Sequence, residues 1–346
     1  MRLPTVRTAS PTSVSYVAEP ALEDEDASGA PGLVGTPGAT HMSDAANAPG
    51  GTSTPSTATG APSSTDAPGA FERDTAVSAL GAIGRESEFE GNVGVEWRAG
   101  RGPHGGYLAA MILRAMTQSV DEPQRSPRSL TVHYARAPKP GLVTLRTVLE
   151  REGRSLSTVS ARMEQDGTLV ALALAAFSVP WPGPELADIE MPQVAPPDPE
   201  RRPGLAQAFG LPPFHAHMVM QPRLDERRRP DGRRPMEFAA WLGLAEARPV
   251  DALSLAFFSD ALIPAPFVAT EEPAPAPTID LTIHFRVALP RVSDPDPYEL
   301  CFARVRAGVV HEGFFEEDET IWSADGTLLA QSRQLAILMG GSPISG

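Results

Sequence analysis

The chain carries the same two segments twice, in the same order, and this repeat limits what it can fold into more than any other feature. Leu130-Thr131-Val132-His133-Tyr134 returns as Leu281-Thr282-Ile283-His284-Phe285, 151 residues on. Asp166-Gly167-Thr168-Leu169-Val170-Ala171 returns as Asp325-Gly326-Thr327-Leu328-Leu329-Ala330, an offset of 159 (166 to 325). The change in offset predicts extra residues in a loop of the second copy. Each Asp-Gly pair lies between alternating or β-branched runs, the short-range mark of a tight hairpin. Ahead of the strands each copy has one helix candidate: Gly105 to Met116, and Asp251 to Leu262 with Asp251 as N-cap. Both are apolar nearly all round, which predicts buried helices. One buried helix followed by about four antiparallel strands, twice over, is an α+β architecture with each sheet wrapped on its helix.

Composition marks the boundaries. Residues 10–70 are Ala, Pro, Ser, Thr, Gly and Asp with few bulky apolar side chains, too little to offset the entropy of ordering a backbone. The proline runs 180–184 and 192–203 cannot donate to a sheet ladder and read as connection. The expected division is a disordered tail at 1–70, a first unit at 71–182, a linker at 183–210, a second unit at 211–340 and a short tail at 341–346. Acidic residues outnumber basic ones 43 to 29, a net charge of −14, and through residue 80 nine acids face three arginines. That balance argues against a nucleic-acid partner. The single cysteine, Cys301, excludes a disulfide framework and a cysteine-rich metal site. No apolar run reaches the ~18 residues of a spanning helix, and no secretory leader is visible. A cytoplasmic protein with no membrane partner, metal or cofactor is expected.

The pattern Gly-Gly-Tyr-Leu-Ala-Ala at a helix start, then Leu-Thr-Val-His-Tyr-Ala-Arg-Ala-Pro, then Asp-Gly-Thr-Leu, resembles a hotdog domain. Two in tandem, with Phe258-Ser259-Asp260, Thr278-Ile279-Asp280 and a late Gln334, resemble the double-hotdog acyl-CoA thioesterase II family over about residues 75–340. The resemblance implies a tandem hotdog fold, an acyl-CoA substrate, and a catalytic aspartate, threonine and glutamine from the second hotdog, here Asp260, Thr278 and Gln334. It also implies a homo-oligomer. One departure is Tyr107, which follows Gly105-Gly106 where close members often carry glutamine; acyl chain and subfamily stay open.

The repeat bears on this carry-over. With the helices aligned on His104 and Asp251, the first-unit counterparts of Asp260, Thr278 and Gln334 are Leu113, Pro127 and Ala175. Three polar residues thus face non-polar ones, which predicts one site per chain. A carboxylate at the end of an apolar helix is costly without a task or a partner. Asp260 would orient and deprotonate a water that Thr278 and Gln334 hold in line. His104, Gly105, Gly106 and Tyr107 would bind substrate, their backbone N–H groups facing the thioester oxygen. The blander reading of Asp260 is a helix-end carboxylate paired with an arginine.

Other signals are weaker. Gly100-x-Gly102-x-x-Gly105 is formally a dinucleotide fingerprint but precedes antiparallel strands. His215 and His217 share a strand face by period 2, without a third metal ligand. His133 and His284 match in the repeat, which favours a shared structural role. Asp280 and His284, a pair a hydratase would want, are about 13 Å apart along a strand. Cys301 reads as a buried strand thiol. The arginine-rich run 223–234 reads as a solvated loop or as a contact for coenzyme A phosphates. A different hotdog enzyme (hydratase or acyl transferase) and a non-catalytic acyl-CoA-binding protein are the rival functions.

Overall fold

The computed structural model describes residues 68–200, 211–223, 228–232 and 234–341. The expected tail, except for 68–70, and the end from 342 onward lie outside the described residues, as do positions 201–210 of the linker and 224–227 and 233 of the arginine-rich run. The first unit runs α1 (Ala70–Asp74), β1 (Val77–Ile83), β2 (Glu86–Val93), the small pair β3 (Arg98–Ala99) and β4 (Gly102–Pro103), α2 (Gly105–Val120), β5 (Ser126–Tyr134), β6 (Gly141–Glu152), β7 (Leu156–Gln165) and β8 (Thr168–Ser178). The second runs β9 (Met218–Pro222), β10 (Glu237–Leu244), α3 (Ala252–Phe258), β11 (Thr278–Phe285), β12 (Cys301–His311), β13 (Phe314–Trp322) and β14 (Leu328–Ile337). In the main sheet each unit therefore has two strands ahead of its helix that the sequence pattern did not reveal, besides the four that follow it.

Twelve strands form one antiparallel sheet in the order β1-β2-β6-β7-β8-β5-β11-β14-β13-β12-β10-β9. Under the repeat this order reads the same from either end, so the units are related by a pseudo-twofold axis between β5 and β11. Thr131 and Thr282, equivalent residues, are Cα partners on that axis, and their hydroxyls meet at 3.1 Å. Both sequence offsets survive as register: Thr278 pairs with Ala336 as Pro127 pairs with Phe177, and Leu281 with Gln334 as Leu130 with Ala175. The extra residues lie in the β11–β12 connection, 286–300, against 135–140 in the first unit. At the first hairpin Asp166 and Gly167 both take positive φ (51° and 71°), which a two-residue turn matched to strand twist requires.

The helices lie in the concavity of the sheet. The α2 residues Leu108 to Leu113 are all buried, and α2 packs on α3 as well as on its own strands. Trp97, Tyr107, Phe71 and Phe257 make a ring cluster across the two units, with Trp97 stacked on Tyr107 at 4.9 Å and edge-on to Phe257 at 5.5 Å. The linker is more than connection. Ile189, Met191 and Val194 pack over Val219, Trp241, Phe302 and Trp322 on the outer face of the second half-sheet, and the Trp241 indole donates to the Ala195 carbonyl at 2.9 Å. Cys301 is buried at the start of β12, and burial pushes its thiol up.

Candidate active site

The junction where α2 begins and α3 ends is built from backbone contact. His104 is the N-cap of α2, and its Nδ1 accepts the Tyr107 N–H at 3.2 Å. The ring proton is thereby left on Nε2, which donates to the Asp260 carbonyl at 2.8 Å and lies 3.5 Å from Asp260 Oδ2. Burial pulls His104 below the usual histidine range, so this tautomer is neutral at pH 7. Gly106 must be glycine: a Cβ there would stand 2.5 Å from the Phe257 carbonyl and 2.9 Å from that of Ala256. A Cβ on Gly105 would meet Asp260 Oδ2 at 2.8 Å.

α3 ends sooner than its apolar run suggests. Ser259 turns its hydroxyl back onto the Leu255 carbonyl, Asp260 and Ala261 make tight i−3 bonds, and Pro264 and Pro266 bar further helix. Asp260 therefore sits in a turn past the helix, where Oδ2 accepts the Gly106 N–H at 2.9 Å. A carboxylate against the first turn of α2 is also favoured by the helix dipole. Among the described residues no arginine reaches Asp260; its partners are the other unit's backbone, a neutral histidine and the Thr278 hydroxyl.

Thr278 owes its direction to a bulge. In regular pairing Thr278 would face outward with Asp280, but the β11–β14 register shifts between these two positions and matches Thr278 to the buried Ala336. The first unit has the same shift between Pro127 and Ser129, so the bulge belongs to the repeat while the hydroxyl does not. Thr278 Oγ1 lies 3.0 Å from Gln334 Oε1 and 3.4 Å from Asp260 Oδ1. The Gln334 amide nitrogen donates to Glu317 Oε2 at 2.7 Å. All three expected residues thus converge, each partly accessible.

Glu317 and Glu319 are buried on β13 beside this group. Burial pushes Glu317 up to about 7 and Glu319 well above the carboxylate range. Sequence reasoning missed both inside the acidic run 316–319. Their period-2 alignment with Phe315 and Ile321, which face the core, was the available signal.

The α2 start offers less than its sequence suggested. The Tyr107 ring is buried in the first unit, where its hydroxyl donates toward the Asp74 and Asn92 carbonyls. The N–H groups of Gly106, Tyr107 and Leu108 are all taken, and only that of Gly105 has no partner among the described residues. The Tyr134 hydroxyl donates to the Gly105 carbonyl at 2.8 Å, and burial with Asp260 nearby holds it protonated. His215 and His217 lie in a 3-10 turn started by Pro212-Pro213 and not in a strand, because two prolines cannot join a ladder. His215 is buried beside Phe214, while His217 stacks on Trp97. Asp280 and His284 keep to the outer face of β11, away from Asp260. At the pseudo-symmetric junction an ion-pair cluster stands instead: Glu72 takes Arg114 and Arg248, and Arg248 also takes Asp251. Among the described residues no cluster of His, Cys, Asp and Glu could hold a metal ion.

Two family profiles cover this arrangement. That of the acyl-CoA thioesterase N-terminal domain matches residues 94–178, and that of the C-terminal domain matches 190–338, together more than half of the chain. The chain belongs to the acyl-CoA thioesterase family. Its double-hotdog build is shared with a hot dog fold protein of unknown function from Alicyclobacillus acidocaldarius, at TM-score 0.68 and 26% identity over 79% of this chain and 99% of that one. An acyl-CoA thioesterase II, TesB2, from Mycobacterium marinum has the same fold at TM-score 0.61 and 18% identity, over 80% of this chain and 100% of that one. An uncharacterized protein of Mycobacterium tuberculosis (strain H37Rv) is 27% identical over 273 residues, 72% of this chain and 90% of its own length. As a thioesterase-family chain it has no helix, among the described residues, long and apolar enough to cross a membrane.

Proposed function

We propose that this protein hydrolyses the thioester of an acyl-CoA at one site per chain, with Asp260, Thr278 and Gln334 as catalytic residues. The observation that carries the proposal is the convergence of these three side chains, from three separate elements, with the Thr278 hydroxyl within hydrogen-bond reach of both Asp260 and Gln334. Asp260 Oδ2 is occupied by Gly106, which leaves Oδ1 to accept a proton from water. The Thr278 hydroxyl, anchored on the Gln334 carbonyl, keeps lone pairs with which to hold that water. Water oxygen attacks the thioester carbon as its proton passes to Asp260. The carbonyl oxygen becomes negative against the Gly105 N–H. Collapse of the tetrahedral species breaks the C–S bond, the leaving sulfur takes the proton back from Asp260, and free acid and CoA depart. Family membership supports the substrate class, and the ion pairs at the pseudo-symmetric junction support a single site. Within this reading the protein is a cytoplasmic homo-oligomer, its edge strands β1 and β9 being surfaces that further subunits can cover.

The test is thiol release from acyl-CoAs of increasing chain length. Hydrolysis of at least one, lowered about 10- to 100-fold by Thr278→Val, is expected. Binding of acyl-CoA without release of thiol from any of them would make the protein a carrier and end the hydrolase reading.

A further inference from the structure

We propose that Glu317 is a positioning residue of this site, fixing which end of the Gln334 amide faces Thr278. The inference rests on the hydrolytic reading above and adds to it the polarity of the hydrogen-bond chain. An amide has a donor end and an acceptor end, and a half-turn about its last bond exchanges them. Glu317 is buried, with two oxygens and two donors to receive. Oε1 takes the backbone N–H of Ala265, and Oε2 takes the Gln334 amide at 2.7 Å. An ionised carboxylate only accepts, so the NH2 end of Gln334 must face Glu317. A flipped amide would set two acceptors against each other at a buried carboxylate. The carbonyl end of Gln334 therefore faces Thr278, which donates to it at 3.0 Å and keeps its lone pairs for water.

This geometry makes the nearly isosteric amide the informative substitution. In Glu317→Gln, position 317 has one acceptor where two are needed. The buried Ala265 N–H claims that acceptor, so the new NH2 faces Gln334 and turns its amide over. Thr278 then meets a donor, and its own hydrogen turns to Asp260 Oδ1, the oxygen that is to take the proton of water.

Initial rates should be measured well above pH 7, where Glu317 is ionised, on an acyl-CoA that the wild type hydrolyses. Glu317→Gln is expected to lower kcat about 10- to 100-fold with KM within about twofold and an unchanged melting temperature. The exchange variant Glu317→Gln/Gln334→Glu restores an acceptor toward Thr278, and kcat should recover at least about fivefold over Glu317→Gln. A structural role alone would not produce that rescue. Should Glu317→Gln fail to fold, the exchange variant is compared with Gln334→Glu alone, and equal rates overturn the proposal. Wild-type kcat in Glu317→Gln, or no rescue, also overturns it while leaving the hydrolase reading intact. Absence of thiol release by the wild type removes both.

Discussion

Asp260 Oδ2 lies 2.9 Å from the backbone nitrogen of Gly106, and the two residues belong to different units of the repeat. The carboxylate comes from the second unit, and the groups that hold it, Gly106 N–H and His104, come from the first. Neither unit alone contains the site. The two copies of the repeat differ in what they bring: the second unit carries the polar groups, and the first carries the close-packed helix start that seats them.

Gly105 and Gly106 should respond differently to alanine. At Gly106 the new methyl meets backbone carbonyls of α3 that cannot step aside. Gly106→Ala should cost about 1–3 kcal/mol and lower the Tm by several degrees. At Gly105 it meets the end of the Asp260 side chain, so Gly105→Ala should lose activity with a much smaller change in Tm. Thermal unfolding and initial rates of both variants check this; equal Tm losses would mean that the helix contact is looser than the distances state.

His215 should make the protein sensitive to mild acid. Burial pulls it from 6.5 to about 4, and its Nε2 is buried without a partner. A histidine whose folded value is depressed binds its proton more weakly when folded, so stability falls as pH drops below 6.5. His215→Leu removes that liability at the expense of one bond to the Pro212 carbonyl. Above pH 6.5 the two proteins should agree within about 1 kcal/mol. Towards pH 4 the variant should gain on the wild type by up to about 3 kcal/mol. Urea unfolding across this range measures the gap, and a gap independent of pH refutes the assignment.

The linker should behave as a strap. Trp241→Phe keeps most of the apolar contact with Met191 and Val194 but removes the bond to the Ala195 carbonyl. The loss should be about 1 kcal/mol, felt mainly as faster proteolysis within 183–200 and less in global Tm. Unchanged cleavage would show that the strap is held by its apolar residues alone.

Much of this was legible in the sequence because it is local or repeated. The offsets 151 and 159 carry the register of both half-sheets, and Asp251 caps α3 through Ser254 as its position suggests. β1 was hidden because alternation fails there, Leu80 and Ile83 being exposed, and β2 because its alternating inward positions, Phe89, Gly91 and Val93, include a glycine. β10 was hidden because Phe238 to Leu244 is buried on both faces, which erases period 2. At the site, residue types were readable but partners were not. That Asp260 is held by Gly106, 154 positions away, depends on how two helices cross. That Glu317 is buried inside an acidic run depends on which face of β13 meets the turn at Ala265.

The central claim is that one carboxylate, Asp260, carries thioester hydrolysis. It is tested most directly by kcat of Asp260→Asn against the wild type on the best acyl-CoA substrate. Asparagine keeps the shape and can still accept from Gly106 but cannot take the proton of water. The account predicts a fall in kcat of about 10²–10³ with Tm and KM close to wild type. Asp260→Asn turning over as fast as the wild type would contradict it.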